Sequence, residues 1–549
     1  MKIIKLKLHN FKKFRELSID FNERMNIFVG DNEIGKSTIL EAINLALSGF
    51  YRGRYLKNDL THYIFNQDAV AEFLERAQRG ETTPPPQVWI ELWFDDCPSF
   101  VGNTNSANDV HAAGITYKIK LREDYTEQFF EYVRTEGVNT LPVEYYELEW
   151  QSFGRNPLTG RKIPLKSFMI DGSIIQQNVS TSFISHLLKT LLSNEDVVKL
   201  AHVHREFQQY VANHRTIQEI NGKLNEDGIF DESENIGLSS DYSSSKSWED
   251  SLIANINSVP LHQAGKGCQV KINTKLSLIK SKSEERDAVI LIEEPESHLS
   301  FSSMTKLISF IAKHGNERQI FITTHSSFVL NKLGLDSLFL MSDQGMNHLK
   351  DLKEATCQYF KQLAGYETLR MLLAKSTILV EGDSDELILQ KAYYQKHKCL
   401  PIDNGVDIQC IRGLSFLRYL ELAVALNLKV KVVTDNDGKI ESVEKKYKEY
   451  LDENKKPNID IIFSSDVFGS NNFDGEEDLD KFNYNTLEPC MLKANSRELL
   501  NDIFGTTASS EKALLKYMKG HKSECALKIF ETDMDVNFPS YINNAVVDE

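Results

Sequence analysis

The amino-acid sequence predicts an α/β protein with at least two domains. At 549 residues, the chain is long enough to form more than one hydrophobic core. Apolar segments of strand character at 27–29, 378–380 and 432–434 are each followed directly by glycine or acidic residues. In open α/β sheets, ligands bind where the strands end. The pattern therefore predicts functional sites at the carboxyl ends of several strands.

The predicted elements occur in two α/β regions joined by a helical connector at 350–373. A helix at 37–47 follows the second strand, and the spacing of Ile184, Leu187, Leu188 and Leu191 predicts helices at 180–220. A polar, serine-rich segment at 224–250 predicts a loop. The predicted strands lie at 3–8, 25–29, 87–95, 115–121, 288–292, 319–323, 376–380, 406–411, 429–434 and 459–463.

The composition is ordinary for a globular protein, with 41% apolar and 26% charged residues. The sequence has no apolar run long enough for a transmembrane helix and no signal-peptide core, so we expect no membrane association. The seven cysteines occur singly, which argues against a zinc site or a disulfide framework. This cysteine usage predicts a cytoplasmic protein.

The formal net charge of −16 argues mildly against extensive contact with nucleic acid. Acidic clusters at 226–234 and 474–480 account for part of it, and such runs are usually solvated loops. A local basic groove remains compatible with this charge, because the electrostatic field that acts on a ligand is local.

A phosphate-binding motif is present at 30–38 (GDNEIGKST), which matches G-x-x-x-x-G-K-[ST]. It lies between a predicted strand and a predicted helix, the context that this motif requires. Backbone N–H groups of such a loop surround phosphates, Lys36 would neutralise the β and γ oxygens, and Ser37 would bind Mg²⁺. The alternative is a tight turn without a ligand. The predicted ATP contacts are Gly30, Asn32, Gly35, Lys36, Ser37 and Thr38.

Two further strand ends carry residues suited to ATP hydrolysis. The strand at 288–292 ends in Glu293, predicted to hold Mg²⁺, and Glu294, predicted to polarise the attacking water. Alone, this pair could equally be an acidic helix N-terminus. The strand at 320–324 ends in His325, a predicted sensor of the γ-phosphate.

These motifs carry a family resemblance. Residues 293–299 (EEPESHL) look like the Walker B and D-loop segment of ABC/SMC-like ATPases, and residues 324–327 (THSS) are similar to their switch-histidine segment. Together with the later acidic strands, they resemble the OLD (overcoming lysogenisation defect) family of ATP-dependent endonucleases. The resemblance implies an ABC-type ATPase domain with a helical dimerisation insertion, followed by a Toprim domain. The implied boundaries are 1–175 and 256–365 for the ATPase, 176–255 for the insertion, and 366–549 for the Toprim domain.

The same resemblance implies a signature loop donated by a partner subunit. The nearest match is at 263–269 (QAGKGCQ), where Gly265 and Gly267 would present N–H groups to the γ-phosphate. This segment departs from the common LSGGQ form, and a flexible loop is the alternative. Gln176 and Gln177 are weak candidates for the glutamine lid.

By resemblance to Toprim domains, Glu381 is the acid that follows the first strand, and Gly382 permits close approach of the backbone. Asp385 or Glu386 would add a carboxylate from the next helix. Residues 435–438 (DNDG) supply the D-x-D pair Asp435 and Asp437, although the segment alone could form a simple turn.

Two later segments extend the predicted nuclease site. Residues 485–488 (NTLE) look like the TLE segment of OLD-type Toprim domains, and residues 521–524 (HKSE) look like their late lysine segment. The metal ligands implied here are Glu381, Asp385, Asp435, Asp437 and Glu488, and they would hold Mg²⁺ or Mn²⁺. Lys522 could stabilise the phosphate in the transition state. Residues 412–413 could bring a cation and a flexible backbone to the same site.

The sequence thus predicts a homodimeric or larger ATPase and metal-dependent endonuclease that cuts DNA, as an effector of anti-phage defence with a possible partner protein or nucleic-acid component. One alternative is a Toprim ribonuclease acting on RNA such as tRNA. A second is a non-cleaving, ATP-dependent SMC-like assembly protein. A topoisomerase would need a tyrosine nucleophile on a separate domain, and no such domain is evident.

Overall fold

The structure is a computed structural model in which the chain divides into two compact units. The first unit comprises Met1–Asn26 and Gly35–Thr324, and the second comprises Ile27–Ile34 and His325–Glu549. The residues that the structure describes are 1–81, 83–107, 110–135, 137–160, 162–171, 193–226, 238–239, 255–278, 287–314, 318–333, 337–342, 345–348, 353–362, 370–412, 415–476 and 482–547.

The chain begins with an antiparallel sheet in the first unit. Its strands alternate buried apolar residues with more exposed polar residues, as expected for a sheet with one buried face. The strands up to residue 152 are β1 (Ile3–Phe11), β2 (Phe14–Asp20), β3 (Met25–Val29), β4 (Phe50–Tyr51), β5 (Arg54–Tyr55), β6 (Val88–Phe94), β7 (Val101–Gly102), β8 (Ala112–Leu121) and β9 (Tyr146–Ser152). In the sheet the order is β2-β1-β6-β8, and both β7 and β9 pair with β8.

Parallel strands form a second layer of this unit, with bounds β10 (Lys166–Asp171), β13 (Ala288–Glu293) and β14 (Gln319–Thr323). β13 pairs in parallel with β10 on one side and β14 on the other. β13 and β14 are almost wholly buried and apolar, the usual pattern for a parallel strand covered on both faces. A short hairpin of β11 (Asn255–Ile256) and β12 (Val259–Pro260) precedes them in sequence.

Seven helices are described in this unit. The first helix is buried on nearly every side and is bounded by two glycines, Gly35 and Gly49, both in the left-handed conformation. The helix therefore places Lys36 and Thr38, at the end of the phosphate-binding motif, in buried positions of this unit. The helices are α1 (Lys36–Ser48), α2 (Gln67–Gln78), α3 (Thr126–Val133), α4 (Asn194–Ala212), α5 (Arg215–Glu226), α6 (Lys266–Leu278) and α7 (Phe301–His314).

In the second unit, the end of β3 pairs in parallel with β15 (Leu338–Ser342), which pairs antiparallel with β16 (Gly345–His348). A four-stranded parallel sheet follows. Its two inner strands, at 376–380 and 429–434, are rich in β-branched residues and mostly buried, which favours their central position in the sheet. The four strands are β17 (Ser376–Val380), β18 (Val406–Cys410), β19 (Lys429–Thr434) and β20 (Ile459–Phe463), in the order β18-β17-β19-β20.

Ten helices are described in the second unit. The later ones pack with the parallel sheet in one hydrophobic core, which includes Leu389, Val433, Met491, Leu515 and Ile542. The helices are α8 (Ser327–Leu333), α9 (Glu354–Gln362), α10 (Asp383–His397), α11 (Phe416–Leu426), α12 (Ile440–Lys446), α13 (Leu487–Ala494), α14 (Arg497–Phe504), α15 (Glu511–Gly520), α16 (Lys522–Glu531) and α17 (Ser540–Ala545).

The predicted α/β class is confirmed, and most predicted strands agree with the observed ones to within a residue or two. Helix α5 continues to Glu226, slightly into the segment predicted as a loop. The strands not predicted from the sequence are β2, β9, β10, β15 and β16, together with the two-residue strands β4, β5, β7, β11 and β12. Predictions for Gln176, Gln177, Gly413, most of the polar segment and the apolar residues at 184–191 lie outside the described residues.

The four predicted domain ranges stay predictions. Among the described residues, no helix is both long and apolar enough to cross a membrane.

Candidate active site

The first candidate site lies at the start of α1, in the first unit. Ser37 is in the first turn of this helix, and its hydroxyl donates a hydrogen bond to the Glu293 carboxylate at the end of β13. Lys36 and Thr38 are buried beside it. The structure thus brings together the two residues predicted to hold Mg²⁺.

The pKa of Glu293 is raised to about 6, mainly by burial, and the nearby carboxylates of Asp171, Glu41 and Glu294 contribute to this rise. The Ser37 hydrogen bond lowers this pKa and so partly offsets the effect. A carboxylate that is desolvated among other acids is destabilised as an anion, so a bound cation would be strongly favoured there.

Gly35 adopts a backbone φ of +104°, and a Cβ at this position would collide with the Phe14 ring. Gly30 lies in the second unit, where a Cβ would collide with the backbone carbonyl of Met341. Both motif glycines are therefore required by the close packing of their own surroundings. Asn32, between them, is exposed.

Glu294 follows Glu293 in a left-handed backbone conformation, with φ of +42°. Its N–H donates to the carbonyl of Thr323 at 2.9 Å, and its carboxylate accepts a hydrogen bond from Ser297 at 3.0 Å. The side chain is therefore held by its own loop. His325 comes two residues after β14 and is half-buried; its predicted role as a sensor stays a prediction.

A basic and aromatic group next to α1 was not predicted from the sequence. Glu41, on the buried face of α1, forms ion pairs with Lys12 and with Arg52, the latter at 3.2 Å. Both cations also lie over the ring of Tyr51, with distances of 5.6 and 5.5 Å to its centroid. No motif marks these residues, because their partners come from separate parts of the chain.

The predicted signature segment forms the start of α6. Gly265 is exposed, and its carbonyl accepts hydrogen bonds from the N–H groups of Cys268 and Gln269 at 2.9 and 3.1 Å. A Cβ on Gly267 would collide with the backbone carbonyl of His298, in the loop after β13. The segment is thus an ordered helix start packed on that loop, and its predicted contact with a partner's ATP stays a prediction.

The second candidate site is an acidic cluster in the second unit, which we define as Glu381, Asp385, Asp435, Asp437 and Glu488. Glu381 follows β17 and Asp435 follows β19, and these two strands are parallel neighbours. The Thr434 hydroxyl donates to the Glu381 carboxylate at 2.8 Å. The sheet therefore brings the two predicted strand-end acids side by side.

Asp385 lies in the first turn of α10, and its carboxylate accepts a hydrogen bond from the Gly382 N–H at 3.1 Å. Burial raises its pKa to about 6, and the Glu488 and Glu381 carboxylates contribute to the rise. Glu386, the other predicted helix-borne acid, instead interacts with Arg370, Asp383 and Asp407. Of the two candidates, Asp385 belongs to the cluster.

Asp435 is the electrostatic centre of the acidic cluster. Its pKa is raised to about 8. Burial is the largest cause, and repulsion by Asp385, Glu381, Glu488 and Asp437 contributes in decreasing order. All four other members of the cluster act on this one carboxyl group. Without a cation, such a group keeps its proton near neutral pH.

Asp437 has a left-handed backbone, with φ of +50°, and is exposed at the edge of the cluster. Its carboxylate accepts a hydrogen bond from the Asn483 amide at 2.7 Å. Between the two aspartates, the buried Asn436 amide donates to the carbonyls of Ser464 and Asp466 at 2.8 and 2.7 Å. Asn436 thus fixes the turn that presents Asp435 and Asp437.

Glu488, in the first turn of α13, is buried and forms an ion pair of 2.9 Å with Lys522, the first residue of α16. Lys522 is half-exposed. The two residues predicted from the late segments are therefore in contact, and Glu488 connects Lys522 to the acidic cluster. Arg412 lies 3.6 Å from Asp383, an exposed acid beside the site.

The donor chemistry of the cluster fits a hard divalent cation, because all five side chains offer carboxylate oxygens. In the part of the chain that the structure describes, no three His, Cys, Asp or Glu side chains are grouped closely enough to hold one ion. Mg²⁺ commonly keeps several waters and takes only one or two carboxylates, so the arrangement remains compatible with it.

Comparisons with known proteins agree with this organisation. The AAA_23 family, described as an AAA domain, matches residues 5–458. Endonuclease GajA of Bacillus cereus (strain VD045) is 21% identical over 485 residues, covering 84% of this chain and 79% of GajA. This match confirms the predicted resemblance to the OLD family.

Two further relatives match smaller parts of the chain. The DNA replication and repair protein RecF of Lactococcus lactis subsp. cremoris (strain MG1363) is 37% identical over 91 residues, which are 16% of this chain and 24% of RecF. The match to the solved C-terminal region of the Burkholderia pseudomallei OLD protein covers 32% of this chain and 96% of the solved chain. The sequence identity is 19%, and the TM-score is 0.25.

Proposed function

The chain belongs to the AAA_23 family of AAA domains, and from this membership and the acidic cluster we propose that it is an ATP-regulated, divalent-cation-dependent endonuclease that cuts DNA. The observation that carries the proposal is the convergence of four carboxylates on Asp435. A protein maintains such a repulsive group at a cost in stability, which a function in cation binding explains.

In the ATPase half, the loop at 30–38 would bind the phosphates of ATP, and Mg²⁺ held by Ser37 and Glu293 would neutralise their charge. Lys36 would contact the β and γ oxygens. Glu294 would accept a proton from the attacking water, and its hydrogen bond from Ser297 orients the carboxylate. His325 would respond to the γ-phosphate, and Gly265 and Gly267 of a partner copy would contact it.

In the nuclease half, Mg²⁺ or Mn²⁺ would be held by one or two carboxylates at a time from the set Glu381, Asp385, Asp435, Asp437 and Glu488, with water as the remaining ligands. Such an ion would neutralise charge on the scissile phosphodiester. The exposed members, Glu381 and Asp437, lie where a polymer can approach, while Asp435 and Glu488 are more buried. Lys522 is half-exposed beside Glu488, so its ammonium group could contact a phosphate oxygen while remaining paired.

DNA is the proposed substrate because GajA is named an endonuclease and RecF a DNA replication and repair protein. By the OLD-family resemblance, we further propose that the protein is an effector of anti-phage defence. We also propose that it works as a homodimer or larger assembly in the cytoplasm, with a possible partner protein or nucleic-acid component.

A plasmid-nicking assay tests the nuclease proposal directly. Supercoiled DNA is incubated with the full-length protein and Mg²⁺ or Mn²⁺, with and without ATP. We expect nicked circles only when a cation is present, and Asp435→Ala should reduce nicking at least about a hundredfold, because it removes the central carboxylate.

Asp452→Asn is a matched control, since it removes an exposed carboxylate of the same unit, at a residue whose φ of +51° suits asparagine. If Asp435→Ala nicks DNA as well as the unaltered protein, the site assignment is wrong. Cutting of tRNA but not of plasmid would favour the ribonuclease alternative. Absence of cutting in every arm would favour a non-cleaving assembly protein.

A further inference from the structure

Tyr541 lies in the last described helix, α17, and belongs to the same hydrophobic core as Val433 and Cys490, which are two residues from Asp435 and Glu488 in the chain. Its side chain is only 4% exposed, and among the described residues its hydroxyl has no hydrogen-bond partner. A buried phenol O–H without an acceptor is unfavourable, since its hydration is lost and nothing replaces it. Such a group in a native fold calls for an explanation.

Helix α17, which carries Tyr541, is anchored at its C-terminal end. Lys431, on β19, donates to the carbonyls of Ala545 and Val547 at 3.3 and 2.8 Å. The His397 ring nitrogen lies 2.9 Å from the carbonyl of Val546. Cationic and polar donors at a helix C-terminus satisfy its free carbonyls and interact favourably with the helix dipole. The helix therefore holds the phenol at a fixed place against the sheet.

The phenol lies within the electrostatic field of the cluster. Burial raises the pKa of Tyr541 well above its usual value, and Asp435, Cys490, Asp385 and Glu488 raise it further. A tyrosine phenol is ordinarily protonated at neutral pH, so the Tyr541 hydroxyl is available as a hydrogen-bond donor. The acids that act on it are those on the buried side of the cluster.

We propose that Tyr541 is a positioning residue of the acidic cluster, whose phenol donates a hydrogen bond to Asp435 when a divalent cation is bound. This inference rests on the proposed function. One carboxylate oxygen of Asp435 would accept the phenol proton, and the other would thereby be held toward the cation. The buried Tyr541 hydroxyl, which has no partner among the described residues, is the donor that this role requires.

Direct measurement of Mn²⁺ binding to full-length protein tests the role of Tyr541 without relying on cleavage. The parent and each Tyr variant carry Ser37→Ala, which removes a predicted cation ligand of the nucleotide site. No nucleotide is added, so that Mn²⁺ binding reports on the acidic cluster. In this background we expect Tyr541→Phe to weaken Mn²⁺ binding about tenfold, as measured by electron paramagnetic resonance of the free ion. Nicking by Tyr541→Phe should recover at high Mn²⁺ concentration, because the defect lies in cation affinity.

Tyr419→Phe is the matched control. Tyr419 is also fully buried in the second unit, and its hydroxyl has no partner in the part of the chain that the structure describes. The neighbour that acts on it is Tyr359 and not an acid of the cluster. This variant should bind Mn²⁺ as the parent does. Neither substitution should lower the melting temperature of the cation-free protein, because each removes a buried hydroxyl that has no acceptor.

Three results would overturn the inference. Equal Mn²⁺ affinity in Tyr541→Phe and the parent would mean that the phenol only fills space. A large loss of cation-free stability in Tyr541→Phe alone would mean that the hydroxyl has a structural partner. If the parent binds no Mn²⁺, the proposed cation-dependent function fails together with the role of Tyr541; in the first two cases that function still stands.

Discussion

Asp435 illustrates how a single residue can reveal a site through its surroundings. Its carboxyl group follows a strand, as any turn aspartate might, and the local sequence DNDG is compatible with a simple turn. The distinguishing property is the raised pKa of about 8, caused first by burial and then by four other carboxylates. The sequence predicted the identity of these acids, but only the fold brings them onto one group.

The pKa shifts in the cluster predict an unusual dependence of stability on pH. The folded-state pKa values of Asp435 and Asp385, about 8 and about 6, both exceed those of an unfolded chain. Folding therefore favours the protonated forms, and the free energy of unfolding should fall as pH rises from about 4 to 8, then level off. Thermal denaturation of the cation-free protein between pH 5 and 8.5 measures this slope.

Asp435→Asn is the control for this prediction, since it removes the strongest shift while preserving the shape of the side chain. Its stability should depend less on pH over the same interval. Added Mn²⁺ should raise the melting temperature of the unaltered protein more at pH 8 than at pH 6, because fewer protons compete for the carboxylates. A slope that Asp435→Asn leaves unchanged would contradict the assignment.

Some residues of the sites had no detectable signal in the sequence. Thr434, Asn436 and Asn483 hold the acids in place, but each is a common polar residue whose partner is distant in the chain. Tyr541 is similarly one of twenty tyrosines. A sequence motif identifies residues that perform chemistry. Residues that hold them in place are identified only from their contacts in the structure.

At the scale of elements, strands β3, β14, β17, β19 and β20 were predicted with their observed bounds. Apolar and β-branched residues dominate each of them, and glycine or polar residues follow directly. Strand β10 was missed: its sequence, KSFMID, mixes polar and apolar residues and shows neither clear alternation nor an apolar run. Its importance is evident only in the sheet, where Asp171 pairs with Glu293.

Helix α4 carries an apolar stripe that predicts self-association. Leu200, Val203, Phe207 and Tyr210 follow the three-and-four spacing of a coiled-coil seam, and they are 37, 61, 61 and 69% exposed. A second copy of the chain is the proposed occupant, in line with the dimerisation insertion implied by the OLD resemblance. We expect Phe207→Asp to weaken the dimer at least about tenfold, since the charge would be desolvated in the interface.

Sedimentation velocity over a range of protein concentrations measures this effect. Gln209→Asp is the matched control: it introduces the same residue into the same helix, two positions along and on the opposite face. It should leave the dimer intact. If both variants dimerise like the unaltered protein, α4 is not the interface.

For the whole molecule, two candidate sites of different chemistry lie in one chain. The first joins Ser37 to Glu293 at the core of the first unit, and the second gathers carboxylates at the parallel sheet of the second. If the ATPase half regulates the nuclease half, each activity should be separable by a variant in its own site.

Glu294→Gln is expected to slow ATP hydrolysis at least about a hundredfold while retaining ATP binding, because it removes the proton acceptor but not the phosphate contacts. Nicking without nucleotide should be unchanged, and only its response to ATP should differ. Phosphate release and plasmid nicking, measured on the same preparation, test both statements. Asp435→Ala serves as the reciprocal control, with normal hydrolysis and lost nicking; unchanged hydrolysis in Glu294→Gln would contradict the assignment.

The packing of Gly267 on the His298 carbonyl has a mechanical consequence. The start of α6 and the loop after β13 would face different subunits in the proposed dimer, and they share a contact with no room for even a methyl group. They should therefore shift as one body, so that a nucleotide captured at one composite site displaces the loop that follows the Walker B acids at the other. We expect ATP hydrolysis at the two sites of a dimer to be correlated, and this tight backbone contact to transmit the movement between them.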